Sequence, residues 1–152
     1  MPSPKSLTMY NDILDIIERR STCIRVKVAA ILVKDDRIVS TGWNGVPAGH
    51  VHCEDIWKDI PEEEMKTGHH AYSTANELHA EQNCLAYAAK HGIATNGATM
   101  YLSISCCMQC SKLIIAAGIA EVYYKQKYDR ETAGLDLMKT SGIFVSQIII
   151  NQ

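Results

Sequence analysis

Two short motifs, His79-Ala-Glu81 and Cys107-Met-Gln-Cys110, constrain the fold of this chain more than anything else in it. One histidine and two cysteines supply the nitrogen and sulfur donors that zinc takes tetrahedrally. A catalytic zinc keeps three protein ligands and leaves the fourth position to water. Cysteines three apart turn both sulfurs toward one point when they occupy the first turn of a helix. The unpaired N–H groups and positive dipole end at that terminus favour thiolate over thiol. His79 opens an apolar-periodic segment, so a second helix is expected to present it from its own N-terminus. Glu81 follows about 200° further round that helix, so it can face whatever lies beside the metal without ligating it. Any fold that uses these residues must bring two helix N-termini, distant in sequence, to one point with an acid beside it.

The remaining sequence supplies elements that can do this. Leu7, Tyr10, Leu14 and Ile17 recur at helical spacing, with Ser6 as the expected cap and an end near residues 20–21. Residues 26–33 are almost continuously apolar and β-branched, as in a strand buried on both faces, and 38–43 return as its hairpin partner. Residues 42–49 hold three glycines and a proline, too many for regular structure, and let backbone approach a ligand closely. Residues 50–77 read as a polar insertion, a loop with no packing of its own, although it holds His50, His52, Cys53, His69 and His70. A helix over 79–91 turns Ala80, Cys84, Leu85 and Ala88 toward the core, with Gly92 at its C-cap. Strand 98–103, helix 107–117, strand 119–124, helix 131–141 and strand 143–150 complete the chain. This order predicts one domain over 1–152, a three-layer α/β/α sandwich on a mixed five-stranded sheet. Cys106, beside the metal motif, reads either as a packing residue or as a ligand in place of Cys107.

Composition narrows the function classes. A formal net charge of −2 argues against a nucleic-acid-backbone binder, and no apolar run approaches the roughly 20 residues of a membrane span. The Met-Pro-Ser-Pro opening lacks the apolar core of a signal peptide, and six cysteines without one point to a reducing, cytoplasmic setting.

Five elements then carry a specific resemblance: Ser21-Thr-Cys-Ile-Arg-Val-Lys-Val28, Gly42-Trp-Asn-Gly-Val-Pro-Ala-Gly49, His79-Ala-Glu-Gln-Asn83, Cys107-x-x-Cys110 and Lys127-Tyr-Asp129. Over about residues 7–148 the chain resembles the deoxycytidylate (dCMP) deaminases of the cytidine deaminase superfamily. H-x-E with P-C-x-x-C is the signature of the zinc nucleobase deaminases. Here Cys106 stands in place of its proline, and Trp43 in place of the usual tyrosine of the glycine-rich loop. The resemblance implies hydrolysis of dCMP to dUMP, a catalytic zinc on His79, Cys107 and Cys110, and Glu81 as proton carrier. It also implies a sugar contact from Asn44 and a base-edge contact from the Ala80 backbone. It further implies an allosteric nucleotide site including Asn44, Gly45 and Gly49, activated by dCTP and inhibited by dTTP with magnesium, in a hexamer. A second, structural zinc would be held by Cys23, Cys53, His69 and Glu77, with His70 or His52 as substitutes for His69. A 5′-phosphate needs cations, and Arg25 with its planar fork is the first candidate, ahead of Lys27, Lys125, Lys127 and Arg130 around Tyr128, which can pack on sugar or base. Cytidine deaminase, tRNA adenosine deaminase and a non-catalytic zinc module are the rivals. The Asn44 loop, the weak basicity and Glu81 respectively stand against them.

Overall fold

The computed structural model describes residues 1–150. Helix α1 (Pro4–Glu18) is capped three residues before Ser6, by Ser3: the Ser3 hydroxyl accepts from the Ser6 N–H at 3.1 Å, and Pro4 fills the first helical position, where a missing N–H costs nothing. Strands β1 (Ala29–Lys34) and β2 (Arg37–Trp43) form a hairpin. Its two-residue connection, Asp35 and Asp36, has φ of 50° and 59°, the left-handed pair that matches strand twist. The apolar run begins at 26, but the strand begins at Ala29. Asn44 captures the intervening backbone: its Oδ1 accepts from the Val28 N–H at 2.8 Å and its Nδ2 donates to the Val26 carbonyl at 2.7 Å.

The insertion is not a loop. It folds as α2 (Cys53–Trp57) and α3 (Glu62–Asn76), each with acidic residues in its first turn, where the helix dipole favours them. Trp57 supplies the packing centre that the polar composition hides. Its ring meets His69 and Tyr72 edge-on at 5.4 and 5.6 Å and lies so close to Gly68 that a Cβ there would come within 3.0 Å.

After it come α4 (Ala80–Lys90), β3 (Thr99–Ile104), α5 (Met108–Ala116), β4 (Glu121–Gln126), α6 (Ala133–Thr140) and β5 (Phe144–Gln147). The sheet order is β2-β1-β3-β4-β5, with β1 antiparallel to both neighbours and β3, β4 and β5 parallel. Alternation along the strands divides the core. Ala30, Leu32, Met100, Leu102 and Val122 pack against Ala80, Cys84 and Ala88 of α4, Ile114 of α5, and Leu135 and Met138 of α6. Ala29, Ile31, Tyr101 and Tyr123 face the other way, onto Tyr10 and Leu14 of α1. The expected three layers and mixed five-stranded sheet are present, and β1 is buried on both faces. Each fully buried leucine or isoleucine in these layers contributes about 1.5–3 kcal/mol relative to exposure. Among the described residues no helix is long and apolar enough to cross a membrane.

The contact that matters most for the site is α4 on β2. Ser40 Oγ donates to the Cys84 carbonyl at 2.7 Å, and Asn83 Nδ2 donates to the Trp43 carbonyl at 2.7 Å. Between them Gly42 lies against the first helical turn, where a Cβ would sit 2.3 Å from the Ala80 carbonyl oxygen and 2.5 Å from the Cys84 nitrogen. No other residue type fits there without moving the helix.

Candidate functional site

His79 and Cys107 occupy equivalent places, the N-caps of α4 and α5, both with extended backbone. The His79 N–H is held by Gln82 Oε1 at 2.7 Å, one arm of the capping pattern that a glutamine three residues after the cap announces in sequence. Cys110 follows in the first turn of α5. His79 Nδ1 lies 3.4 Å from Cys110 Sγ and 3.6 Å from Cys107 Sγ. Nitrogen and sulfur bound to one tetrahedral zinc at 2.0–2.1 and 2.3 Å stand about 3.6 Å apart. The three side chains are therefore spaced as zinc requires. Cys106 turns away, its Sγ 3.2 Å from Ser111 Oγ, and packs in the core rather than standing in for Cys107.

The electrostatics agree with the spacing. Cys107 is held well below the usual thiol range, first by the hydrogen bond from the Cys110 thiol, despite burial, and then by His79. Cys110 is pushed up, because the proton it shares with Cys107 is the one the pair keeps. Such a pair gives up its second proton when a dication arrives. Glu81 is 4% exposed. Desolvation raises its pKa, with His79 nearby working the other way, so the carboxyl is biased toward its neutral form beside the Cys110 thiol. His79 is exposed and Cys107 half-buried, which leaves this cluster open to solvent on one side.

A second cluster is closed. Cys23, Cys53, His69 and Glu77 are all buried, with one ligand atom from each lying within 4.8 Å of the others. His69 Nε2 is 3.1 Å from Cys53 Sγ and 3.8 Å from Cys23 Sγ. His70 is exposed, and His52 lies with its Nδ1 3.4 Å from Thr22 Oγ1, so of the three histidines weighed it is His69 that joins the group. Burial pushes the Cys53 thiol up to about 12 and raises that of Cys23, keeping both protonated until a metal replaces the proton. Both carboxylate oxygens of Glu77 are buried without a hydrogen-bond partner. Leaving a buried polar group unsatisfied costs about 1–3 kcal/mol, more when it is charged, and a cation among these four donors removes that cost. Three donors around an open position and four around a closed one are the arrangements that separate catalytic from structural zinc.

The substrate-side candidates lie on several segments of the chain. Asn44 commits both ends of its amide to the 26–28 segment, and Gly45 pairs with Leu78 through two backbone hydrogen bonds, 3.1 and 2.8 Å. Gly49 is exposed with φ of 88°. Ala80 is fully buried in the first turn of α4. Arg25 and Lys27 line a cleft of about 280 Å³ together with Lys125, Asp15 and Glu18. Lys125 is ion-paired with Asp15, while Arg25 and Lys27 are exposed and form no salt bridge among the described residues. Half-buried Tyr128 is tied to Ser105 Oγ through its backbone N–H at 2.7 Å. Trp43 carries the Arg20 guanidinium over its ring at 5.0 Å. Sequence reasoning did not single out Ser111, which donates to the Cys107 carbonyl at 3.0 Å, or Gly134, where a Cβ would come within 2.4 Å of Ser111 Oγ. No local motif marks either of them.

The chain is similar to known proteins. The sequence model of the cytidine and deoxycytidylate deaminase zinc-binding region matches residues 5–126. The deoxycytidylate deaminase of Enterobacteria phage T4 is 33% identical, over 88% of this chain and 84% of its own. ComE operon protein 2 of Bacillus subtilis is 36% identical, over 90% of this chain and 68% of its own. The structure of the dCMP deaminase of cyanophage S-TIM5 in complex with dCMP and dUMP superposes with a TM-score of 0.80 at 32% identity, covering 97% of this chain and 99% of the other. Motif, site geometry and likeness converge on one assignment: the chain belongs to the family of cytidine and deoxycytidylate deaminases, zinc-binding hydrolases.

Proposed function

We propose that the chain hydrolyses dCMP to dUMP and ammonia, with one zinc at His79, Cys107 and Cys110 and a second at Cys23, Cys53, His69 and Glu77. The observation that carries this reading is the open three-donor cluster at two helix N-termini with a buried acid beside it. A zinc ion held there would supply a nucleophilic oxygen at neutral pH by lowering the pKa of a water toward about 7. Glu81 moves the protons. It takes one from the water, delivers one to ring N3, and serves the departing ammonia as the C4–N bond breaks and the C4–O bond forms. The Ala80 backbone meets the base edge and Asn44 the sugar. Asn44 already positions the 26–28 segment and retains one amide hydrogen for such a contact. Arg25 takes the 5′-phosphate and Tyr128 packs on the nucleoside. Relatives that carry the name deoxycytidylate deaminase, and a neighbour seen with dCMP and dUMP, support the choice of substrate. Activation by dCTP, inhibition by dTTP with magnesium at a loop including Asn44, Gly45 and Gly49, a hexamer and a cytoplasmic setting complete the proposal.

The test is ammonia release from dCMP, dCTP, deoxycytidine and CMP, each with and without dTTP. Turnover confined to dCMP and suppressed by dTTP is expected. Equal turnover of deoxycytidine would remove the phosphate contact and point to a nucleoside deaminase.

A further inference from the structure

The two clusters are joined by a strut of three residues. Glu77 belongs to the closed cluster and His79 to the open one, and both have extended backbone, with φ and ψ of −97° and 136° and of −75° and 157°. On an extended chain, residues two apart point to the same side about 6.7 Å from each other. Leu78 between them is tied at both backbone groups: its N–H donates to the Gly45 carbonyl at 2.8 Å and its carbonyl accepts from the Gly45 N–H at 3.1 Å. A second line runs from Cys23, whose N–H donates to Ser21 Oγ at 3.2 Å, while Ser21 Oγ donates to the Asn44 carbonyl at 2.8 Å. Asn44 in turn holds Val26 and Val28. The closed cluster thus sits behind both His79 and the segment that carries Arg25.

We propose that the closed cluster is a positioning device for the open one, so that loading a metal at either strengthens metal binding at the other. This rests on the two-metal reading above. The physical cause is the unpartnered Glu77 carboxylate. Without a cation the buried, unpartnered carboxylate gains from any displacement toward water, and the extended link through Leu78 passes such a displacement on to His79. A cation removes that tendency, so His79 is already placed when the second ion arrives. Coupling between sites is reciprocal by linkage, so the effect must appear in both directions.

The test uses cobalt(II) or zinc with a competing chelator on the full chain, and compares the product of the two dissociation constants of the wild type with that of two single-site variants. Cys53→Ala leaves only the open cluster and Cys110→Ala only the closed one. Neither substitution touches the strut. His69→Ala replaces Cys53→Ala if circular dichroism shows the latter unfolded. The expected wild-type product is smaller by about tenfold or more, in the usual range of coupling between sites. Products equal within about twofold, with two ions bound by the wild type, would overturn the coupling and leave the two-metal reading standing. One ion per wild-type chain would overturn both.

Discussion

Replacing Gly42 by alanine puts a methyl group into the seam between β2 and α4. The new carbon would meet the Ala80 carbonyl oxygen at 2.3 Å, the Cys84 nitrogen at 2.5 Å and the Cys84 Cα at 3.0 Å. All three are backbone atoms of one helical turn, so no side-chain rotation relieves the overlap. Reaching ordinary contact at 3.4 Å requires the first turn of α4 to retreat by about 1 Å from the strand. Overpacking of this kind costs typically about 1–3 kcal/mol. For a chain of this size a kilocalorie lowers Tm by about 2–4 °C, so the expected loss is roughly 2–12 °C. The displaced turn is the one that His79 caps and that contains Glu81. A misplacement of about 1 Å can cost 10²-fold in rate, so kcat should fall by about that factor even where the protein stays folded. Thermal unfolding of the zinc-loaded protein and ammonia release at a temperature well below Tm read the two effects separately. Gly45→Ala is the stability control, because its Cβ would meet nothing closer than Thr22 Oγ1 at 3.5 Å. A Gly42→Ala protein with unchanged Tm and kcat would refute the claim that this seam positions the site.

Three further outcomes are expected. Arg25→Ala should raise KM for dCMP by roughly tenfold, about the lower end of the 1.5–3 kcal/mol of a hydrogen bond to a charged group, and leave any deoxycytidine turnover unchanged; equal effects on both substrates would remove Arg25 from the phosphate. In chelator-stripped protein, brief alkylation at neutral pH should label Cys107 first, because it is half-buried and held low, while Cys53, Cys84 and Cys106 are buried and pushed up to about 12, 11 and 12; peptide mapping that finds Cys84 first contradicts this. Glu81 has a folded pKa raised above its ordinary 4.5, so its contribution to stability is complete below that value and declines as pH rises through the folded value. Glu81→Gln should therefore stabilise the metal-free chain to urea at pH 7 but not at pH 4 while abolishing turnover, and a destabilised variant at pH 7 would count against that burial cost.

The parts of this molecule written locally in the sequence were legible there. Spacing alone brought Cys107 and Cys110 to one helix end and placed His79 at another, since both follow from cap position and helical rise. Gly92 after α4 has φ of 66°, the left-handed C-cap geometry that its position predicted, and Gly118 after α5 and Gly142 after α6 share it at 72° and 86°. The run from 26 to 33 correctly announced a strand buried on both faces, but its first residues are claimed by Asn44, a contact between distant residues that no window could reveal. The insertion was misread for a related reason. Its helices show little apolar stripe because they bury ligand-type residues, Cys53, His69 and Glu77, around one point, and because Trp57 covers Gly68. Polar composition conceals a core made of donors.

The order of strands has a consequence for how this chain can grow. Because β1 pairs directly with β3, with Val33 opposite Thr99, everything between them is one long closed loop. The entropy of closing a loop rises only logarithmically, about 0.6 kcal/mol for each doubling of its length. Within it the Gly45–Leu78 pair closes residues 46–77, of which 50–77 are all but the first few, so their presence raises that closure entropy by about three doublings, roughly 2 kcal/mol. Further chain can be added at this point with little more penalty to the sheet. Between β3 and α5, where three residues link the end of a strand to the turn that presents Cys107 and Cys110, no comparable slack exists.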